Sequence, residues 1–152
     1  MVPLRIFNAT GRSDTMLPVR VSTTALLKRW GNEVLLVSPE QYRSLPCPSY
    51  PEIRLALARG KSVGARIEQF APDAVHIATE GPLGLAARRH CIARGRAFTT
   101  AYHTQFPDYV AQRTGLPASL FWSYIRWFHR PSSGIMVATE SVRRELREQF
   151  AK

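Results

Sequence analysis

The 152 residues suffice for one domain with a real core, and 45% hydrophobic against 21% charged residues excludes a disordered chain. No apolar run approaches the ~18 to 20 residues of a bilayer-crossing helix, and Cys47 and Cys91 have no spacing suited to a zinc site or a disulfide framework. Lys plus Arg number 21 against 11 Asp plus Glu, a net charge of +10 carried almost wholly by arginine; this favours anionic partners without choosing among nucleic acid, phosphorylated substrates and a membrane surface. The opening residues Met1 to Arg5 lack the apolar core of a secretory signal, so a cytoplasmic protein is expected.

In chain order, Leu4 to Phe7 reads as a first strand. Ser22 to Trp30 then reads as a helix with Leu26, Leu27 and Trp30 on one face, and Gly31 stands where a helix ends in the left-handed region. Glu33 to Val37 is a short continuous apolar run, the pattern of a buried parallel strand. Ser38 to Tyr50, with Pro39, Pro46 and Pro48, reads as a long polar loop, and Ile53 to Leu57 as a short extra strand. Val63, Ile67 and Phe70 recur at helical spacing until Pro72 stops the helix. Ala74 to Ala78 is a second buried strand, and Gly81-Pro82 opens a helix that Gly95 closes. Ala97 to His103 is a mixed strand rich in β-formers, followed by a helix over Ala118 to Arg130, an apolar strand from Gly134 to Ala138, and a last helix carrying Val142, Leu146 and Phe150. Strands alternating with helices predict an α/β fold: an open, Rossmann-like parallel sheet with helices on both faces.

In such sheets ligands sit beyond the carboxyl ends of the strands, so residues just past each strand gather at one rim. They are Ser38 to Glu40, Thr79-Glu80-Gly81, His103-Thr104-Gln105 and Thr139 to Ser141. His103 is the sharpest candidate, able to bond a sugar hydroxyl or shuttle a proton; the alternative is a histidine that caps the next helix. Glu80 holds a substrate hydroxyl or merely caps the helix beginning at Pro82. Gly81 and Gly84 form a small-residue turn at a helix start, yet neither G-x-G-x-x-G nor a P-loop is present. His76, His90 and His129 read as structural, and no pair of histidines has metal-ligand spacing.

The helix over Ala118 to Arg130 has one narrow polar stripe, Ser119, Ser123, Arg126 and Arg130. Its apolar arc is wider than a surface helix needs. Either it is wedged between the sheet and another segment, or it contacts a membrane surface or a lipid acceptor with Trp and Arg at the interface.

The run Leu27 to Pro39 resembles the L-x-x-x-G-H-E-V-x-V-x-x-P opening of retaining GT-B glycosyltransferases of the family 4 type, specifically their amino-terminal domain. The loop Tyr50 to Ala56, the run D-A-V-H-I-A-T-E-G-P-L-G from Asp73 to Gly84, and Y-H-T-Q-F-P-D-Y from Tyr102 to Tyr109 add to the likeness. Together they resemble the branch of GDP-mannose-dependent α-mannosyltransferases and sulfoquinovosyl or glucuronosyl glycolipid synthases. The resemblance implies two Rossmann-like domains facing across a cleft, the amino-terminal one binding the acceptor and the other holding a nucleotide-sugar. It implies retention of anomeric configuration without metal or other cofactor, a donor such as GDP-mannose, and a lipid or glycan acceptor. His103 is implied as the catalytic histidine, with Glu80, Gly81, Tyr102, Thr104, Tyr109 and Thr139 as substrate-binding neighbours.

Two departures stand out. Leu17-Pro18 occupies the place of the family's Asn-Gly before Val19, and Asn32 replaces its usual histidine. On this reading residues 1–152 are one acceptor-side domain that lacks its carboxyl-terminal donor partner, a fragment expected to be inactive alone. The rival is a non-catalytic basic module holding nucleic acid or an anionic membrane surface; no nucleic-acid-binding signature supports the first of these.

Overall fold

The computed structural model describes residues 3–10, 23–47, 50–57, 60–102, 115 and 117–151. Five strands form one parallel sheet: β1 (Arg5–Ala9), β2 (Glu33–Val37), β5 (Ala74–Ile77), β6 (Thr99–Tyr102) and β7 (Gly134–Val137), in the order β2-β1-β5-β6-β7. The helices are α1 (Thr23–Arg29), α2 (Gly60–Phe70), α3 (Pro82–Ala93), α4 (Ala118–His129) and α5 (Glu140–Phe150). The fold is thus the α/β, Rossmann-like sheet that the sequence pattern predicts.

Successive residues of a strand face opposite sides, which places the helices. Phe7 and Ala9 of β1 share a buried cluster with Val63 and Ile67 of α2 and Leu83 and Ala86 of α3. Asn8, between them, turns the other way, and its Nδ2 donates to Thr24 Oγ1 of α1 at 3.4 Å. Helices therefore cover both faces, as right-handed crossovers running in opposite directions from β1 require. A second cluster joins Tyr102, Trp122, Ile125 and Leu146, with Ile135, Val137, Val142 and Phe150 packed against it.

Local chemistry ends the helices where the sequence suggests. Gly31 and Gly95 adopt φ of +82° and +61°, which β-carbon-bearing residues avoid. Ala71, the residue after α2, also takes a positive φ of 44° ahead of Pro72.

Three expectations need correction. The tract after Val37 is not one long loop: it holds a 3-10 turn (Pro39–Gln41) and strand β3 (Ser44–Cys47), paired antiparallel with β4 (Tyr50–Ala56) in a separate two-stranded sheet. The extra strand foreseen at Ile53 is the second half of that hairpin. Trp30 does not join the buried face of α1; it lies beyond the last helical residue and is exposed. The Gly134 strand is an edge strand rather than a fully buried one, with Met136 exposed.

Candidate functional site

The order β2-β1-β5 contains the switch point of the sheet. The chain leaves β1 toward β2 on one side and later enters β5 on the other, which opens a crevice at the carboxyl ends of β1 and β5. Thr79, Glu80 and Gly81 follow β5 directly and so stand at this crevice. Thr139 follows β7 on the same rim, two strand spacings or roughly 10 Å along the sheet from the end of β5.

Glu80 is held from two directions by α4. Its carboxylate Oε1 lies 3.2 Å from His129 Nε2, and its backbone carbonyl accepts the Tyr124 hydroxyl at 2.6 Å. His129 is fully buried, and its Nδ1 sits 2.8 Å from Thr100 Oγ1, whose hydroxyl in turn donates to Ser132 Oγ. A continuous polar chain thus runs from the interior of the sheet to a carboxylate that keeps 29% of its side-chain surface. Burial first, and the Glu80 carboxylate second, push the Tyr124 phenol above its usual value, so it remains a hydrogen-bond donor to Glu80. Both anchors come from one helix, which ties the position of Glu80 to α4.

The turn from β5 into α3 is tight. A β-carbon on Gly84 would fall on the Thr79 carbonyl oxygen, so glycine lets the first turn of α3 press against the Thr79–Gly81 segment. Thr79 Oγ1 accepts from the Gly81 amide at 3.2 Å and stiffens the turn further. Gly81 is the residue preceding α3 and brings no side-chain cap, while Pro82 occupies the first helical turn.

Behind the rim, Arg88 of α3 binds the end of α4. Its Nε donates to the Phe128 carbonyl at 2.9 Å and its Nη2 to the Trp127 carbonyl at 2.8 Å, with the guanidinium 3.9 Å from the Trp127 ring centroid. A cation at a helix carboxyl end opposes the helix dipole favourably. Burial lowers the Arg88 pKa from its usual value.

The sequence-derived residues fare differently. Glu80 and Gly81 stand at the rim as expected. Thr139 does too, but its Oγ1 accepts from the Val142 amide at 3.3 Å and neighbours Ser141 Oγ at 2.9 Å, so it also caps α5. Tyr102 needs correction: its side chain is 1% exposed and packs against Trp122 and His129, which makes it a core residue in this fold. His103, Thr104 and Tyr109 lie outside the described residues. The residue that the sequence reading passed over is His129. It shares the inward stripe of α4 with Trp122 and Ile125, and its signal was a lone imidazole on an otherwise apolar stripe. His76 and His90 remain tied to Thr99 and Glu68 respectively.

Among the described residues no group of three or more His, Cys, Asp or Glu could hold a metal ion, and no helix is long and apolar enough to cross a membrane. A groove of about 400 Å³ lies between β7 and α5, lined by Ile135, Val137, Arg143, Leu146, Arg147 and Phe150; Glu80 is not part of it.

The chain is 28% identical over 134 residues to the sulfoquinovosyl transferase SQD2 of Arabidopsis thaliana, an alignment covering 79% of this chain and 26% of the relative. The chain thus spans about a quarter of that relative's length. The model of Glycosyltransferase Family 4 matches residues 18–151. The parallel α/β sheet agrees with this match, and the chain belongs to Glycosyltransferase Family 4.

Proposed function

We propose that the chain is the acceptor-side, amino-terminal half of a two-domain retaining glycosyltransferase that moves a hexose from a nucleotide-sugar to a lipid or glycan acceptor. The observation that carries this is Glu80: a partly exposed carboxylate at the switch point, held by the buried His129 and by Tyr124. A carboxylate so placed accepts a hydrogen bond from an acceptor hydroxyl and holds its oxygen in line with the donor sugar, and orientation of this kind is a large part of rate enhancement. His103, assigned by resemblance, adds a contact to the donor sugar or polarises the reacting hydroxyl. The departing diphosphate needs basic groups and helix amino-ends, which the partner half provides. Mannose is the sugar favoured by the sequence motifs, and the name of the Arabidopsis relative adds sulfoquinovose.

The test is a transfer assay with GDP-mannose and UDP-sulfoquinovose. The chain alone is expected to give no turnover. Joined to the carboxyl-terminal half of a family 4 enzyme it should transfer, with Glu80→Gln raising the acceptor KM and His103→Ala lowering kcat by ~10² to 10⁴-fold. Robust turnover by the chain alone, or a joined enzyme indifferent to both substitutions, would overturn the proposal.

A further inference from the structure

The side chain of His129 is fully buried, so each ring nitrogen must find its partner inside the protein. Nδ1 meets Thr100 Oγ1 at 2.8 Å, and Nε2 meets Glu80 Oε1 at 3.2 Å. Where the protons sit follows from the next two bonds, because a hydroxyl has one proton to give. Ser132 gives its own to the His129 backbone carbonyl at 2.7 Å, so its oxygen can only accept from Thr100. Thr100 gives its proton to Ser132 Oγ at 3.3 Å and must therefore accept from Nδ1. Nδ1 thus carries a proton. At the other nitrogen, a bare Nε2 against a bare carboxylate would oppose two lone pairs, so a second proton lies between Nε2 and Oε1. Imidazole is a stronger base than a carboxylate by about two pH units in ordinary solution, which puts that proton on the ring.

We infer that His129 is an imidazolium paired with an ionised Glu80, and that it is the positioning residue that keeps Glu80 a hydrogen-bond acceptor at the rim. The groups around the ring fit this assignment. Tyr102 of β6 and Phe128 meet the ring edge-on. Arg88 of α3 is turned to the Trp127 and Phe128 carbonyls, and Tyr124 stays a phenol that donates to the Glu80 carbonyl. Among the described residues Glu80 is the carboxylate in salt-bridge reach of the ring. With Oε1 taken by His129, Oε2 has no partner among the described residues and remains for a ligand. An ionised carboxyl oxygen accepts strong hydrogen bonds and donates none, so it selects a hydroxyl donor. The pair has no net charge, and so adds little repulsion toward an acceptor that also carries an anionic group. This use of Oε2 rests on the proposed function, whereas the charge state rests on the hydrogen bonds alone.

Imidazole nitrogen resonances of isotope-labelled chain at neutral pH test this, with His129 assigned through bonds from its backbone. Both His129 nitrogens are expected to carry protons, and the Glu80 carboxyl carbon to resonate in its ionised position. Thr100→Ser keeps the hydroxyl and should preserve this pattern, whereas Thr100→Val should lose the proton at Nδ1. Glu80→Gln should lose the proton at Nε2, because the glutamine amide can donate to that nitrogen. An imidazole that merely fills space would stay neutral throughout. A neutral ring in the parent would overturn the inference, whether Nδ1 is bare and turned to the Thr100 hydroxyl or Glu80 is protonated. So would a ring charge indifferent to Glu80→Gln. The parent spectrum decides even where a variant fails to fold. These spectra need no donor or acceptor sugar. A neutral His129 in a joined enzyme that transfers would contradict this inference alone, and an imidazolium in a joined enzyme that does not transfer would contradict only the proposed function.

Discussion

Gly84 and Gly64 are both helical glycines against a neighbour, yet the neighbours differ in what they can yield. The atom facing Gly84 is the Thr79 backbone carbonyl oxygen, with Ile77 Cγ2 at 2.9 Å; the atom facing Gly64 is Nδ1 of the His90 side chain. Alanine gains about 1 kcal/mol of helix propensity at either site. At Gly84 that gain is outweighed by overpacking against backbone, and Gly84→Ala should lose about 1 to 2 kcal/mol in urea unfolding while displacing the Thr79–Gly81 turn. At Gly64 the imidazole can swing aside, losing its bond to the partly exposed Glu68, so Gly64→Ala should stay within about 0.5 kcal/mol of the parent. Equal stability of the two variants would show that the β5–α3 turn is not held as described. The Gly81–Gly84 spacing was visible in the sequence, where it suggested a small-residue turn at a helix start. The packing reason for Gly84 was not visible, because it depends on a backbone atom five residues earlier.

Helix α4 is the element that organises the site. His129 joins Thr100 of β6 to Glu80 after β5, so its removal leaves a cavity and takes a partner from the buried Thr100 hydroxyl and the partly exposed Glu80 carboxylate. His129→Ala should cost about 2 to 4 kcal/mol. In a double-mutant cycle with Glu80→Gln the two changes should couple by about 0.5 kcal/mol or more; strict additivity would mean that the imidazole supports the sheet and not the carboxylate. The apolar arc of α4 was legible from its narrow polar stripe, and the structure divides it: Trp122, Ile125 and Phe128 face inward, while Leu120, Tyr124 and Trp127 face out. The role of His129 was not legible, since Glu80 and Thr100 lie 49 and 29 positions away and only the sheet order brings them together. Strands β2 and β5 were legible because parallel strands between two helical layers read as continuous apolar runs. The β3–β4 hairpin escaped for the opposite reason. It stands outside the main sheet and carries Pro46 in a polar, proline-rich tract that reads as loop.

For the whole molecule, one topological fact sets the arrangement: β1 lies between β2 and β5, and every strand of the main sheet points its carboxyl end the same way. Residues separated by scores of positions in sequence then share one rim, with Glu80 at the switch point and Thr139 toward the β7 edge. Under the proposed function this rim receives the acceptor and not the nucleotide-sugar. The most direct measurement is chemical-shift mapping on isotope-labelled chain titrated separately with octyl mannoside, as a lipid-like hydroxyl acceptor, and with GDP-mannose. Octyl mannoside is expected to shift the backbone amides of Thr79, Glu80, Gly81 and Thr139, Glu80→Gln to remove these shifts, and GDP-mannose alone to leave them nearly unmoved. Shifts confined to the opposite, amino-terminal edge of the sheet, or a rim that responds to GDP-mannose and not to octyl mannoside, would contradict it.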